Sequence, residues 1–224
     1  MTQPVLEHAP HPVLTPDAQQ PSPDEALEWL VRGNARYVLH HSRHPRQGGR
    51  ARLKLAKGQH PFAVVLGCAD SRVAPEVIFD QGLGDLFVVR IAGNIVDEAV
   101  RGSLEFAVTR FGVPLIVVLG HDGCGALQAA LDAIDHPRPM PPAVQALLEP
   151  ILPAVRQAID ETEHALVPPS DESILQAAQA IHTARMVEAL RADEVLAPLI
   201  ERGRLEVVGG RYDLQSGQVV FALY

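Results

Sequence analysis

Cysteines, aromatic residues and long apolar runs are all scarce in this chain of 224 residues. Two residues are cysteine, and 4% are aromatic. No apolar run approaches the ~20 residues that a membrane-spanning helix needs, which argues against a membrane partner. The amino-terminal stretch lacks the basic and apolar regions of a secretory signal, so we predict a cytoplasmic protein. Without export, two cysteines are more often a metal-binding or catalytic pair than a disulfide.

Positive charge is also in deficit. The chain has 19 Lys and Arg against 27 Asp and Glu, and its net charge is -8. Proteins that bind nucleic acid usually present a basic face, so nucleic acid is not an expected partner. The apolar fraction of 47% and the length are those of an ordinary globular domain with a full-sized core.

Prolines separate the amino terminus from the rest of the chain. Residues 1–23 contain six of them, which predicts an extended arm without helix or strand. The arm either lies on a partner subunit or is a disordered tail. Residues 24–224 show no internal repeat and no second domain boundary, so we predict that they form a single catalytic domain.

Three apolar runs, bounded by glycine or proline, predict buried parallel strands at residues 62–67, 86–91 and 114–119. Helices alternate with them, and two further strands surround a turn near the carboxyl terminus. The predicted fold class is α/β, with a central, mostly parallel β-sheet flanked by helices, an N-terminal helical arm, and C-terminal helices and edge strands. Helices are predicted over residues 24–39, 52–57, 76–80, 97–110, up to 133, 144–164, 171–191 and 194–202.

Metal-competent side chains follow two of these strands. Cys68 comes directly after the first strand, and His121 and Cys124 come after the third. The carboxyl ends of neighbouring parallel strands meet at one edge of the sheet, where α/β proteins place their functional sites. Two thiolates and one imidazole suit Zn²⁺ and leave one of four tetrahedral positions open, as in catalytic zinc sites. The sequence therefore predicts a catalytic zinc site.

Three other interpretations of the cysteines and their surroundings remain. A cysteine at a strand end is often a small core residue. A redox dithiol is a second possibility, although no C-x-x-C motif brings the two thiols together in sequence. The turn over residues 120–125 is glycine-rich, as in nucleotide-binding α/β proteins, but it has neither the G-x-G-x-x-G order nor a G-K-[ST] motif.

Four segments carry a resemblance to a known family. GCADSRVAPE, DLFVVRIAGN, GSLEFAV and VVLGHDGCGAL resemble the β-class carbonic anhydrases in order and spacing. The resemblance implies that Cys68, His121 and Cys124 bind zinc and that Asp70 and Arg72 form the catalytic dyad. It implies reversible hydration of CO₂ to bicarbonate and a proton through zinc-bound hydroxide. It also implies a homodimer or homotetramer with the active site at the subunit interface.

The expected substrate pocket combines this resemblance with the apolar nature of CO₂. The resemblance implies that the Gln59 amide bonds the bound carbon species, that the partner's copy of Phe87 forms an apolar wall, and that Gly125 leaves room beside the ligand. The expected apolar lining consists of Val73, Phe87, Ala92 and Phe106, for which plain core packing is the alternative.

Asp70 and Arg72 have complementary expected roles. The carboxylate of Asp70 is itself a good zinc ligand, and Arg72 can hold it away from the metal by a two-pronged ion pair. An ordinary loop salt bridge is the alternative. The same zinc chemistry would also hydrolyse carbonyl sulfide or carbon disulfide, which is a second candidate activity.

Overall fold

A five-stranded sheet forms the centre of the computed structural model, which describes residues 19–162 and 170–222. The strand order is β2-β1-β3-β4-β5. The first three pairings are parallel, and β4 pairs with β5 in the antiparallel direction. The predicted α/β class with a mostly parallel sheet is thus confirmed. The strands are β1 (Ala63–Gly67), β2 (Leu86–Arg90), β3 (Leu115–His121), β4 (Glu206–Tyr212) and β5 (Val219–Ala222).

Two apolar layers cover the sheet, which explains the continuous apolar runs of the central strands. Every residue of β1 and β3 is buried. Val65 points into a core with Leu30 and Phe79 on one side of the sheet. Val64 points into a second core with Leu104 on the other side. A strand covered on both faces has no polar face, so alternation is absent from its sequence.

Helices surround the sheet, and polar caps begin several of them. Ser22 and Glu25 form a capping box at the start of α1, and Asp97 and Ser170 accept backbone hydrogen bonds at the starts of α4 and α8. The helices are α1 (Pro23–Val38), α2 (Gly49–Leu55), α3 (Pro75–Ile78), α4 (Glu98–Phe111), α5 (Gly125–Asp135), α6 (Pro142–Leu148), α7 (Leu152–Thr162), α8 (Asp171–Arg191) and α9 (Ala197–Glu201), with a 3₁₀ turn at Ala92–Asn94.

Two predictions about the carboxyl-terminal half need correction. The helix predicted over residues 144–164 is divided into α6 and α7, because Pro150 has no N–H for a helical hydrogen bond and Pro153 suits a first turn. The two final strands are not both edge strands. Of these two strands only β5 is an edge strand, whereas β4 lies between β3 and β5 and buries Val207 and Val208.

The predicted arm over residues 1–23 falls mostly outside the described residues, which begin at Gln19. Within the described part, the Gln20 side-chain amide donates to the carbonyls of Pro61 (3.2 Å) and Phe111 (2.9 Å). These bonds attach the segment before α1 to the chain just ahead of β1 and to the end of α4. No helix among the described residues is both long and apolar enough to cross a membrane.

Candidate metal centre

The ends of β1 and β3 bring the three predicted metal ligands together. Gly67, the last residue of β1, pairs with Leu119, and β3 continues for two residues to His121. Cys68 follows β1, and Cys124 is the residue that caps α5. The ligand atoms of Cys68, His121 and Cys124 all lie within 4.8 Å of one another, and the two sulfurs are 4.0 Å apart.

The side chain of His121 is oriented as a metal ligand would be. Its Nδ1 lies 2.9 Å from the carbonyl oxygen of Asp122. Because a carbonyl oxygen only accepts, Nδ1 carries the proton and Nε2 keeps its lone pair. Nε2 is buried and has no hydrogen-bond partner within the described residues. Buried polar atoms are rarely left unpaired, and a ligating histidine typically bonds a carbonyl through its other nitrogen, so a metal fits here.

The two thiols favour binding of a cation between them. The hydrogen bond with Cys124 is the main cause that lowers the pKa of Cys68 to about 4, and the N–H of Gly93, 3.4 Å from its sulfur, also lowers it. The same shared proton, together with burial, raises the pKa of Cys124. The metal-free pair therefore holds one proton, which a divalent ion would displace. Soft sulfur and imidazole donors are those that Zn²⁺ prefers.

Asp70 and Arg72 form a two-pronged ion pair next to this group. Arg72 donates from Nε to Oδ1 (2.9 Å) and from Nη2 to Oδ2 (2.7 Å), and its backbone N–H also reaches Oδ1 (2.9 Å). These bonds hold the pKa of Asp70 well below its usual range. Nη2 of Arg72 also donates to the Gly123 carbonyl (3.2 Å), in the turn between the two other ligands. Asp70 is not among the side chains grouped around the possible metal position.

Two further arginines support the site and were not among the sequence-based candidates. Arg90 ends β2 and donates to the carbonyls of Cys68 (3.1 Å) and Asp70 (2.6 Å), which fixes the loop after β1. A charged residue at the end of an otherwise apolar strand was a usable signal for it. Arg211 forms a two-pronged bond with Asp122 (2.7 and 3.0 Å). Its position depends on the pairing of β3 with β4, for which the sequence has no local signal.

Three of the predicted pocket residues lie beyond the carboxyl ends of the strands, as the metal ligands do. Val73 is fully buried in the apolar core, which agrees with plain packing. Ala92 begins the 3₁₀ turn that follows β2. Gly125 is the first residue of α5, and an added Cβ there would meet none of the described residues within 4 Å, so these leave open space next to Cys124.

The other three pocket residues lie near the amino ends of the strands. Gln59 precedes β1, whereas Cys68 follows it, and the strand between them is about 13 Å long. Phe87 pairs with Val64 near the start of β1. The ring of Phe106 lies 6.4 Å from that of Phe87, and its side chain is 52% exposed. Within one chain, these three residues do not meet the metal group.

Known proteins resemble this chain over most of its length. The sequence profile of the family described as carbonic anhydrase matches residues 63–219. Carbonic anhydrase 2 of Mycobacterium tuberculosis is 42% identical over 207 residues, which cover 89% of this chain and 92% of that protein. A carbonic anhydrase of Pseudomonas aeruginosa is 36% identical over 176 residues, with 74% of each chain covered.

Solved structures are similar in fold. The β-carbonic anhydrase CcaA superposes with a TM-score of 0.70 at 26% identity, covering 87% of this chain and 94% of that chain. A tetrameric β-carbonic anhydrase of the filamentous ascomycete Sordaria macrospora has a TM-score of 0.68 at 26% identity. That match covers 88% of this chain and 93% of the fungal chain.

Proposed function

This chain belongs to the β class of carbonic anhydrases, and we propose how its own residues carry out the reaction. It is a zinc-dependent lyase that hydrates CO₂ reversibly to bicarbonate and a proton. The observation that carries this conclusion is the buried Nε2 of His121, which has no hydrogen-bond partner in the described part of the chain and lies beside two sulfurs 4.0 Å apart.

Cys68, His121 and Cys124 hold the zinc in this proposal. Bound zinc supplies a Lewis acid that acidifies a water ligand and so provides the nucleophile for CO₂. Two thiolates and one neutral imidazole balance the charge of a divalent ion. Since both thiols must stay reduced, and since disulfides are rare in the cytosol, we further propose a cytoplasmic location. Residues 24–224 form the catalytic domain in this proposal.

Asp70 orients the attacking group by accepting its hydrogen bond, and Arg72 keeps Asp70 in place. Because Arg72 bonds both carboxylate oxygens, Asp70 would be kept from binding a metal held by Cys68, His121 and Cys124. Arg90 supports this arrangement from the backbone side, because it bonds the carbonyl of Asp70 itself. A planar fork is needed for this role, and an ammonium group does not reproduce it.

A second copy of the chain completes the pocket in this proposal. Gln59 precedes β1, and Phe87, with Phe106 against it, lies near the start of β2, whereas the metal group follows the carboxyl ends of β1 and β3. A half-exposed phenylalanine packed on another aromatic ring is typical of an interface. The related Sordaria macrospora enzyme is a tetramer. We therefore propose a dimer, or a pair of dimers, in which each copy contributes these residues to the site of the other.

Zinc analysis and a stopped-flow CO₂ assay test the proposed metal site. The purified wild-type chain should hold one zinc per chain and hydrate CO₂, and removal of zinc by a chelator should abolish turnover. Readdition of zinc should restore it. A chain that hydrates CO₂ equally well without metal would contradict the proposal.

Subunit mixing tests the shared pocket. Gln59→Ala and Cys124→Ser homodimers should both be weakly active, because the first lacks the partner's amide and the second lacks a metal ligand. Unfolding and refolding the two variants together should restore activity, since a hybrid has one site with both an intact metal group and an intact Gln59. If Gln59 serves its own chain, each site of the hybrid carries one defect and no activity returns.

A further inference from the structure

A buried histidine on α8 lies behind the metal group and has no role in the proposed mechanism. His182 is 0% exposed, and its Nε2 lies 2.7 Å from the carbonyl oxygen of Gly93. The carbonyl can only accept, so Nε2 carries the proton and donates. Nδ1 is buried without a hydrogen-bond partner among the described residues. A leucine or methionine would fill such a space without leaving a nitrogen unpaired.

The residue that His182 bonds is also bonded to a metal ligand. The N–H of Gly93 donates to the sulfur of Cys68 over 3.4 Å. Gly93 has a left-handed backbone conformation (φ 70°, ψ 16°), and a Cβ at this position would lie 2.5 Å from Cδ1 of Ile151. Only glycine therefore fits this turn without displacing its neighbours. In this turn, the amide of Gly93 lies within reach of the Cys68 sulfur.

We propose that His182 is a positioning residue of the metal centre, which holds the carbonyl of Gly93 so that the amide of the same residue donates to Cys68. An N–H bond to a thiolate fixes its direction and withdraws part of its negative charge. The bound metal is then a stronger Lewis acid than it would be with a bare sulfur. The inference rests on the zinc site of the proposed function and adds a residue from a distant helix to it.

The surroundings of His182 favour a neutral imidazole that donates from Nε2 to the Gly93 carbonyl. Burial has the largest effect on the pKa of the imidazole and lowers it, the bond to the Gly93 carbonyl raises it, and the charge of Arg185 lowers it. The net shift favours the neutral ring, in which the Gly93 carbonyl places the single proton on Nε2. Glutamine can present an N–H at a similar position, whereas leucine fills a similar volume and cannot donate.

Three variants separate this role from general packing. His182→Leu should bind zinc about ten-fold more weakly in a chelator competition, because the Cys68 sulfur is no longer held in the direction of the metal and this outweighs its stronger electron donation. In its cobalt-substituted form, the sulfur-to-cobalt charge-transfer band should shift to lower energy, because the sulfur is a stronger electron donor. His182→Gln should retain the wild-type affinity and band. Met186→Leu, a conservative change in the buried core one turn further along α8, is the control and should change neither.

The inference is overturned if His182→Leu has the zinc affinity and charge-transfer band of the wild type. A loss of thermal stability alone would mean that His182 only packs. If His182→Leu does not fold, the wild-type chain loaded with ¹¹³Cd decides the matter by NMR. A scalar coupling between the Gly93 amide proton and the metal, through the Cys68 sulfur, is expected, and its absence would overturn the inference. A wild-type chain that binds no metal would instead refute the zinc site itself.

Discussion

The metal ligands and the Asp70–Arg72 pair are neighbours, yet their surroundings differ. Cys68, His121 and Cys124 are at most 5% exposed and are complete within one chain. The side chain of Arg72, by contrast, is 56% exposed. In our proposal, the Gln59 that acts beside the pair comes from another copy. The buried ligand set is complete in a single chain, whereas we propose that a second copy completes the pocket around the orienting pair.

A second aspartate–arginine pair, Asp80 with Arg36, is buried and differs from Asp70–Arg72 in its role. Arg36 donates to Asp80 over 2.6 Å, and both side chains are at most 8% exposed. The Asp80 carboxylate also accepts the backbone N–H groups of Arg43 and His44, which attaches the loop after α1 to the end of α3. A buried, fully bonded pair of this kind has a structural role, whereas the Asp70–Arg72 pair is partly open to solvent, with side chains 16% and 56% exposed.

Loss of a metal ligand should have the largest effect. We expect Cys124→Ser to lower zinc affinity by more than about 100-fold, because even changes in residues that only support ligands cost 10- to 100-fold. CO₂ hydration should fall with the zinc content, as measured by metal analysis and stopped-flow assay. Ser103→Ala, a change on the exposed surface of α4, is the control. Full zinc content with normal turnover in Cys124→Ser would contradict the assigned ligand set.

Replacement of the exposed arginine should affect activity and leave the metal in place. We expect Arg72→Lys to lower kcat/KM about 100-fold, since the loss of one preorganised electrostatic contact costs 10²- to 10³-fold. Its zinc content should equal that of the wild type. Arg32→Lys is the matched control, because Arg32 also bonds an acidic residue, Glu28 at 2.6 Å, away from the metal group. Near-normal turnover of Arg72→Lys would argue for an ordinary loop salt bridge.

A change in the buried Arg36–Asp80 pair should lower the stability of the chain and leave its activity unchanged. We expect Asp80→Asn to lower the free energy of unfolding by about 3 kcal/mol, because Arg36 would be left as a buried charge without its counterion. Turnover per bound zinc should remain unchanged. Urea unfolding at fixed protein concentration measures the first quantity, and zinc-normalised kinetics measures the second. If Asp80→Asn were as stable as the wild type but had low turnover per zinc, the structural role assigned to the Arg36–Asp80 pair would be wrong.

The smallest expected effect is the pH dependence that His182 adds. Burial lowers its pKa in the folded chain below the value of about 6.5 expected in the unfolded chain. Between these two pKa values the unfolded chain binds more protons, so the free energy of unfolding decreases as the pH falls through this window. His182→Gln should lack this contribution. A difference between wild type and variant that stays constant from pH 7.5 to 5.5 would be incompatible with a neutral, buried His182.

Local patterns predicted the central sheet and the metal ligands. The continuous apolar runs marked β1, β2 and β3, and the polar residues after them marked the edge where Cys68, His121 and Cys124 come together. The interior position of β4 was not predictable in this way. Its neighbours in the sheet are decided by the helices that carry the chain back across it.

The sequence by itself determined which side chains can bind zinc and which segments are the parallel strands β1, β2 and β3, because both depend on residues only a few positions apart. Burial on both faces was predicted for all three, but β2 is only partly buried because it is an outer strand. Tertiary structure alone decided that His182 meets Gly93 and that Arg211 meets Asp122, since each pair is separated by 89 positions. It also decided that Gln59 and Phe87 lie away from the metal ligands of their own chain. Such contacts follow from the packing of whole helices and strands, and no short stretch of sequence contains them.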